Sequence, residues 1–486
     1  MVHYKYVTRC VNIPYCKSLL MSLKVGVGTP PQLLQVQFYT QGSDTYFFTS
    51  DACKALSNSL YPCVGSAFSP SDSSTYAVTQ AAPAFSVTYG DNSTVSGPYA
   101  TDTIAIDGQL LFLEDVPFGV VQHAIEDSGP TYGAIGLGYS SLQGNPLNFV
   151  ELLRDSGVIS SRLFSLYLGG ASVDGSGYGT VLFGGIDPAR YQGEFTTLNI
   201  INGTSMATGV QYDYVIPITS IDAVNSSTGI QTTIFPTSGD PQNYSSIPSA
   251  VWLESPFWAL PHAAFNQLLA TTFFFVDDNG NCACSHQNDS VVLRVTFGGE
   301  ATVDVPMRDL LVPVYNTTTG TRMVYANGTG VCNLALSYSD QPEDIFSLGS
   351  SILRSMYVVV DLDNAQVSVA QAVRNTYGSD EQDTRAVGAG PNEVASAAHQ
   401  TASAVPNTFY IPNGTSTSLS ISTPGPTVST ISVGTLSNNK PTSTVGTVPT
   451  SSTTKSAGSS VFRANIPEQH VGLFILAFSI AGIMVG

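Results

Sequence analysis

Short runs of alternating or β-branched residues recur as far as about residue 377, and they constrain the fold more than any other feature of the chain. They are Gln35–Phe38, Phe85–Tyr89, Thr103–Ile106, Gly179–Phe183, Val291–Phe297, Met356–Asp361 and Gln366–Ala370. Gly, Asn, Asp and Pro turns separate them, the pattern of an all-β protein. Forty-four glycines, with 23 Tyr and 23 Phe, agree with that pattern. Helical periodicity is confined to two stretches. Asn148–Asp155 puts Phe149, Leu152 and Leu153 on one face, and Ala263–Leu269 is the other. Both read as small packing helices.

Charge excludes several functions. Lys and Arg total 17 against 35 Asp and Glu, a formal net charge of −18. A nucleic-acid binder needs a basic footprint, which is missing here. Six scattered His, with no HExxH or CxxC, give no metal-ligand spacing. No phosphate-cradling glycine loop follows a strand-like run. The reading is therefore of a chain without metal, cofactor or nucleic acid.

The C-terminal end has its own composition. Residues 471–486 (VGLFILAFSIAGIMVG) carry no charge. As a helix they would reach about 24 Å, short of a hydrocarbon core of about 30 Å. A polar spacer, 461–470, and the small residues Ser456-Ala457-Gly458-Ser459-Ser460 precede them. Small site, spacer and apolar tail are the order of a GPI-attachment signal, with Ser456, Ala457, Gly458 and Ser459 as candidate attachment residues. About half of 413–460 is Ser or Thr, too poor in large apolar groups to offset chain entropy. Eight Asn-x-Ser/Thr sequons fit a secretory route and would mark surface loops: Asn92, Asn202, Asn225, Asn243, Asn288, Asn316, Asn327 and Asn413. At the other end the longest apolar run is only Leu19–Leu23, too short for a signal peptide. Tail, stalk and sequons agree on secretion, so the expectation is that a signal peptide has been lost from the start.

Certain motifs within the body go further. Near the start stands Gly26-Val27-Gly28-Thr29-Pro30-Pro31-Gln32, followed by an apolar strand ending at Phe38. Tyr89-Gly90, Tyr132-Gly133-Ala134-Ile135-Gly136-Leu137-Gly138-Tyr139, Val181-Leu182-Phe183-Gly184-Gly185-Ile186-Asp187 and Phe346-Ser347-Leu348-Gly349 come in that order. With these residues the chain resembles the pepsin-like aspartic peptidases, in their GPI-anchored fungal form, over roughly 23–377. The resemblance implies two β-rich lobes around a cleft, each lobe placing one Asp-Thr/Ser-Gly loop on its floor. It implies that Ala134-Ile135-Gly136 and Ser347-Leu348-Gly349 back those loops, and that Tyr89 and Gly90 begin a flap over the substrate. It also implies a Cys53–Cys63 bridge and a bond from Cys332 to Cys284 or Cys282, with Cys10 and Cys16 unplaced.

Catalysis in this family needs two carboxylates sharing one proton, one ionised to activate water and the other protonated to donate to the scissile carbonyl. Here the first loop reads Phe38-Tyr39-Thr40-Gln41-Gly42-Ser43-Asp44. Ungapped matching puts Tyr39 at the catalytic Asp position and Gln41 at the glycine. A phenol with an ordinary pKa near 10 is no base in acid. Counting back from Leu260-Pro261 puts Trp252 at the second Asp position, Leu253 at the hydroxyl position and Glu254 at the glycine. A shift of two residues would bring Glu254 to the Asp position instead. Asp127-Ser128-Gly129 and Asp155-Ser156-Gly157 are turn or helix-end sequences, with Gly157 a C-cap. Tyr132, Tyr139, Trp258 and 273–275 read as packing residues, and His123 and His286 as solvated.

The expected organisation is an unassigned segment 1–22, an N-terminal lobe 23–195, a C-terminal lobe 196–377, a disordered stalk 378–460 and an attachment signal 461–486. The expected function is that of a monomeric cell-surface aspartic endopeptidase homologue with catalysis lost. It would hold an extended polypeptide in the cleft or act as a wall glycoprotein. Its other partners would be the membrane, through a GPI anchor, and cell-wall polysaccharide. The alternatives are an active acid endopeptidase using displaced acids such as Asp44 with Glu254, and an adhesin.

Overall fold

The computed structural model describes residues 2–7, 22–55, 66–88, 94–106, 111–125, 132–139, 148–170, 178–201, 203–204, 211–236, 246–316, 321–339, 345–374, 383–401 and 404–405. Three large sheets carry the fold. Alternation sets which face each strand buries. In Val291–Phe297, residues Leu293, Val295 and Phe297 point inward, as do Ala301, Val303 and Val305 of the antiparallel partner Ala301–Pro306.

The N-terminal sheet runs in the order Ser22–Val27, Gln32–Tyr39, Gly133–Gly136, Tyr46–Phe48, Leu111–Val121, Thr94–Ile106, Ala77–Thr88, and its first strand also pairs with Thr94–Ile106. The C-terminal sheet runs Ala301–Pro306, Val291–Phe297, Val215–Asn225, Ile247–Val251, Phe346–Leu348. A seven-stranded sheet joins the halves, in the order Val2–Val7, Tyr178–Phe183, Leu163–Tyr167, Met356–Asp361, Gln366–Ala372, Tyr191–Asn199, Ala404–Val405. This is the all-β, two-lobed architecture anticipated from the sequence.

The two lobes repeat one arrangement around the cleft floor. In the first, Gln32–Tyr39 lies parallel to Gly133–Gly136, and the returning strand Tyr46–Phe48 lies parallel to 119–121. In the second, Ile247–Val251 lies parallel to Phe346–Leu348, and the returning strand Trp258–Pro261 lies parallel to Leu336–Ser339.

Several boundaries differ from the sequence reading. Strands Met356–Asp361 and Gln366–Ala372, assigned to the C-terminal lobe, belong to the joining sheet and pair with Leu163–Tyr167 and Tyr191–Asn199. The body does not end at 377. Val387, Val394 and Ala395 are buried, the first two in one cluster with Leu163, Tyr357 and Val359, and Ala404–Val405 pairs with 197–198. Isolated apolar residues in a linker-like composition are enough to dock 383–401, so packed structure extends into the segment read from its composition as stalk. Within 1–22, residues Val2–Val7 form an edge strand along Tyr178–Phe183.

Of the two helices anticipated from the sequence, one is Phe149–Asp155, opened by a capping box between Asn148 and Glu151. It buries Phe149, Val150 and Leu153, with Leu152 only partly covered. Gly157 follows at φ +72°, a left-handed C-terminal stop. The other is His262–Thr271. Tyr132, Trp258 and Phe273 are buried, but Phe274 is 77% exposed, contrary to its reading as a packing residue. Its neighbour Phe275 turns back to stack on His286 at 3.7 Å. His286 is therefore only partly solvated and bonds Asp289 at 2.8 Å, whereas His123 is exposed.

Candidate active site

The register sets Tyr39 opposite Gly136 at the end of its strand. Val251 lies opposite Leu348, and the Trp252 amide donates to the Leu348 carbonyl at 3.1 Å, so Trp252 stands beside Gly349. Tyr39 and Trp252 therefore occupy equivalent points of the two lobes, and Glu254 lies two residues further along. Neither ring faces open solvent. Tyr39 is 3% exposed and packs with Tyr46, Phe48, Phe85, Val87 and Tyr99 of the first lobe. Trp252 is 1% exposed and packs with Ile201, Tyr212, Val215 and Ile345 of the second.

Both backing glycines are sterically required. A Cβ on Gly136 would fall 2.1 Å from the Ser43 carbonyl oxygen, and one on Gly349 would fall 2.2 Å from that of Phe257. Ser347, at an apolar position of its triplet, donates its hydroxyl to the Phe257 carbonyl at 3.0 Å.

Three acids lie near the floor. Asp44 is buried and accepts from the Tyr99 hydroxyl at 2.7 Å; burial raises its pKa, with that hydrogen bond opposing. Glu254 accepts from the Thr40 hydroxyl at 2.8 Å and from the Gln41 amide at 3.2 Å. Burial outweighs those bonds and pushes Glu254 up to about 7. The third acid, Asp213, was missed in the sequence. It accepts from the Tyr139 amide at 3.0 Å, and burial raises it too to about 7. Gly138 makes room for it, since a Cβ there would stand 2.5 Å from Asp213 Oδ2. Its only sequence signal is an acid flanked by Tyr212 and Tyr214. Asp44 and Glu254 have no hydrogen-bond partner in common among the described residues.

These shifts decide what the acids can do. A peptidase pair needs one ionised member in acid. Their raised pKa values bias Glu254 and Asp213 towards the protonated form in acid, which disfavours either as the base.

They also make a prediction about stability. In the unfolded chain the two groups return towards 4.5 and 3.8. The folded state then holds protons that the unfolded state has released, so stability is greatest below the unfolded values. It falls as pH rises towards 7, by on the order of 2–3 kcal/mol for each group. Urea unfolding at about pH 4.5 and 7.5 should show this decline. Glu254→Gln, which cannot ionise, should lose one group's share of it. Equal pH slopes in the two proteins would contradict the assignment.

Among the remaining candidates, Tyr89, Gly90 and Asn92 lie outside the described residues, in the connection between Ala77–Thr88 and Thr94–Ile106. So do Cys10, Cys16, Cys63, Asp127-Ser128-Gly129, Asn202, Asn243, Asn413 and the attachment candidates Ser456, Ala457, Gly458 and Ser459. Cys53 is disulfide-bonded. Cys332 bonds Cys284, and Cys282 is a buried free thiol. Asn288, Asn316 and Asn327 are exposed. Asn225 is only partly so, because its Oδ1 accepts from the amides of Ser227 and Thr228 and closes a turn. Among the described residues no cluster of His, Cys, Asp or Glu could hold a metal, and no helix is long and apolar enough to cross a membrane.

Two lobes that each close a strand end against a glycine of a parallel neighbour, with a cleft floor between them, define the aspartic peptidase class. The chain belongs to it: the model of the eukaryotic aspartyl protease family matches residues 22–372. Among its relatives, a probable aspartic-type endopeptidase OPSB of Trichophyton verrucosum is 28% identical over 401 residues, covering 79% of this chain and 73% of that protein. Rhizopuspepsin-2 of Rhizopus niveus is 26% identical over 351 residues, covering 71% and 77%. Secreted aspartic protease 9 of Candida albicans is 27% identical over 293 residues, covering 59% and 48%.

Proposed function

We propose that this member of the aspartic endopeptidase family does not cleave peptides. It serves instead as a secreted, GPI-anchored surface glycoprotein in the membrane or wall, with a peptide-binding or structural role. The observation that carries the reading is the pair of buried rings, Tyr39 and Trp252, at the equivalent strand ends where the family's mechanism needs two carboxylates. The raised pKa values of Glu254 and Asp213 support it, since an acid biased towards its protonated form is a poor base. A relative named as a secreted aspartic protease supports secretion, and the exposed sequons Asn288, Asn316 and Asn327 support a glycosylated surface.

The test is binding of a labelled extended peptide library to the purified protein, with product formation followed in the same sample. Saturable binding without product supports the peptide-binding form of the reading. Absence of both leaves the structural or adhesin role. Product sensitive to a pepstatin-type inhibitor overturns the proposal.

A further inference from the structure

The two residues that stand where the family's loops carry glycine, Gln41 and Glu254, reach across the cleft floor in opposite directions. The Gln41 side chain enters the second lobe. Its Nε2 donates to the Val251 carbonyl at 2.8 Å and to the Asp213 carbonyl at 3.4 Å, and its Oε1 accepts from the Asp213 amide at 3.0 Å. The Glu254 side chain enters the first lobe, where its two oxygens accept from the Thr40 hydroxyl and the Gln41 amide. Thr40 completes the exchange, its Oγ1 accepting from the Leu253 amide at 3.0 Å.

A primary amide and a carboxyl group inserted into a buried floor would each be costly alone, because an unmade hydrogen bond there keeps its full desolvation penalty. Here Gln41 uses its carbonyl oxygen and its amino group, and Glu254 uses both oxygens. All of these partners lie in the opposite lobe. Glu254 thus serves the Thr40 hydroxyl and Gln41 amide of the first loop, and Gln41 serves backbone groups of Val251 and Asp213 in the second lobe.

We infer that Gln41 and Glu254 form a latch between the lobes, a plug that keeps the cleft floor occupied by the chain's own side chains. The inference rests on the non-catalytic reading and, within it, favours the structural role over the peptide-binding one. A peptide crossing the cleft would meet donors and acceptors already engaged. Replacing only Tyr39 and Trp252 by aspartate would not free the floor.

Amide hydrogen exchange in the full chain tests the latch, because each side chain protects an amide in the other lobe, 172 or 213 residues away. Gln41→Ala should speed exchange at Asp213 by at least about 10-fold, and Glu254→Ala should do the same at Gln41. Glu254→Gln retains an acceptor and should restore much of the protection at Gln41. The shorter Gln41→Asn provides a milder perturbation if Gln41→Ala folds poorly. Effects confined to the substituted residue's own loop, or no change at either amide, would overturn the latch.

The plug is read separately, with a pepstatin-type peptide as the probe. It should bind the Gln41→Gly/Glu254→Gly variant at least about 10-fold more tightly than the unaltered protein. Equal affinity would overturn it. Cleavage by the unaltered protein would instead strike at the non-catalytic reading and leave the exchange result to judge the latch.

Discussion

Gly349→Ala is expected to abolish folding, and Gly136→Ala to come close to it. The added methyl on Gly349 would lie 2.2 Å from the Phe257 carbonyl oxygen and 2.6 Å from that of Ser255. On Gly136 it would lie 2.1 Å from the Ser43 carbonyl oxygen. In both cases the obstacle is backbone, so no rotamer change relieves it. The affected backbone is also committed elsewhere. Ser350 N–H donates to the Ser255 carbonyl at 2.7 Å, and Gly136 N–H donates to the Thr45 hydroxyl at 3.1 Å. Moving either loop breaks the floor and parts the parallel strands beside it. Overpacking costs typically run to about 3 kcal/mol, and this overlap should exceed that. Gly193 serves as the control. It lies at φ +80°, and a Cβ there would have nothing within 4 Å, so Gly193→Asn should cost only the modest strain of a left-handed asparagine and still fold. The check is yield of folded monomer and circular dichroism. Native-like Gly349→Ala protein would show that the loops do not approach as described.

Arg374→Ala should produce the second large loss, about 3 kcal/mol. Its guanidinium grips Asp309 through two parallel bonds, Nη1 to Oδ2 at 2.6 Å and Nη2 to Oδ1 at 2.8 Å. Asp309 is fully buried and also accepts from the Ser355 hydroxyl at 2.8 Å. Removing the arginine leaves a carboxylate whose charge is poorly compensated inside the protein, although the buried Arg354 nearby limits the damage. The pair joins the end of the joining sheet to the short helix Met307–Leu310, so the loss should appear as cooperative unfolding. The double variant Arg374→Leu/Asp309→Leu should lose less than Arg374→Ala, because it buries no carboxylate without its guanidinium. Denaturant titration separates the cases, and a double variant worse than the single would contradict the argument.

Much of the fold could be read in the chain because β-branched runs encode strands locally. Val291–Phe297 and Met356–Asp361 form with the bounds that the residue pattern suggests. The glycines at 136 and 349 were legible for a similar reason: each is required by its close surroundings and sits in a short recognisable motif. The docking of 383–405 was not legible. It depends on Val387 and Val394 finding a cluster more than two hundred residues upstream, at Leu163. The same holds for the site. The substitutions at 39, 41, 252 and 254 are visible in one dimension. That Gln41 bonds Asp213, and that both rings turn into separate lobe cores, depends on the lobes meeting. Cys332 had two candidate partners two residues apart, and the fold decided for Cys284, while Cys282 sits opposite Cys332 in the ladder.

The central claim is that no ionised and protonated acid pair stands on the cleft floor. Cleavage of denatured protein at about pH 3–6, with and without a pepstatin-type inhibitor, tests it most directly, because losing either carboxylate should cost orders of magnitude in rate. The account predicts no inhibitor-sensitive product from the intact chain across that range. Product that appears in acid and disappears with the inhibitor would contradict it.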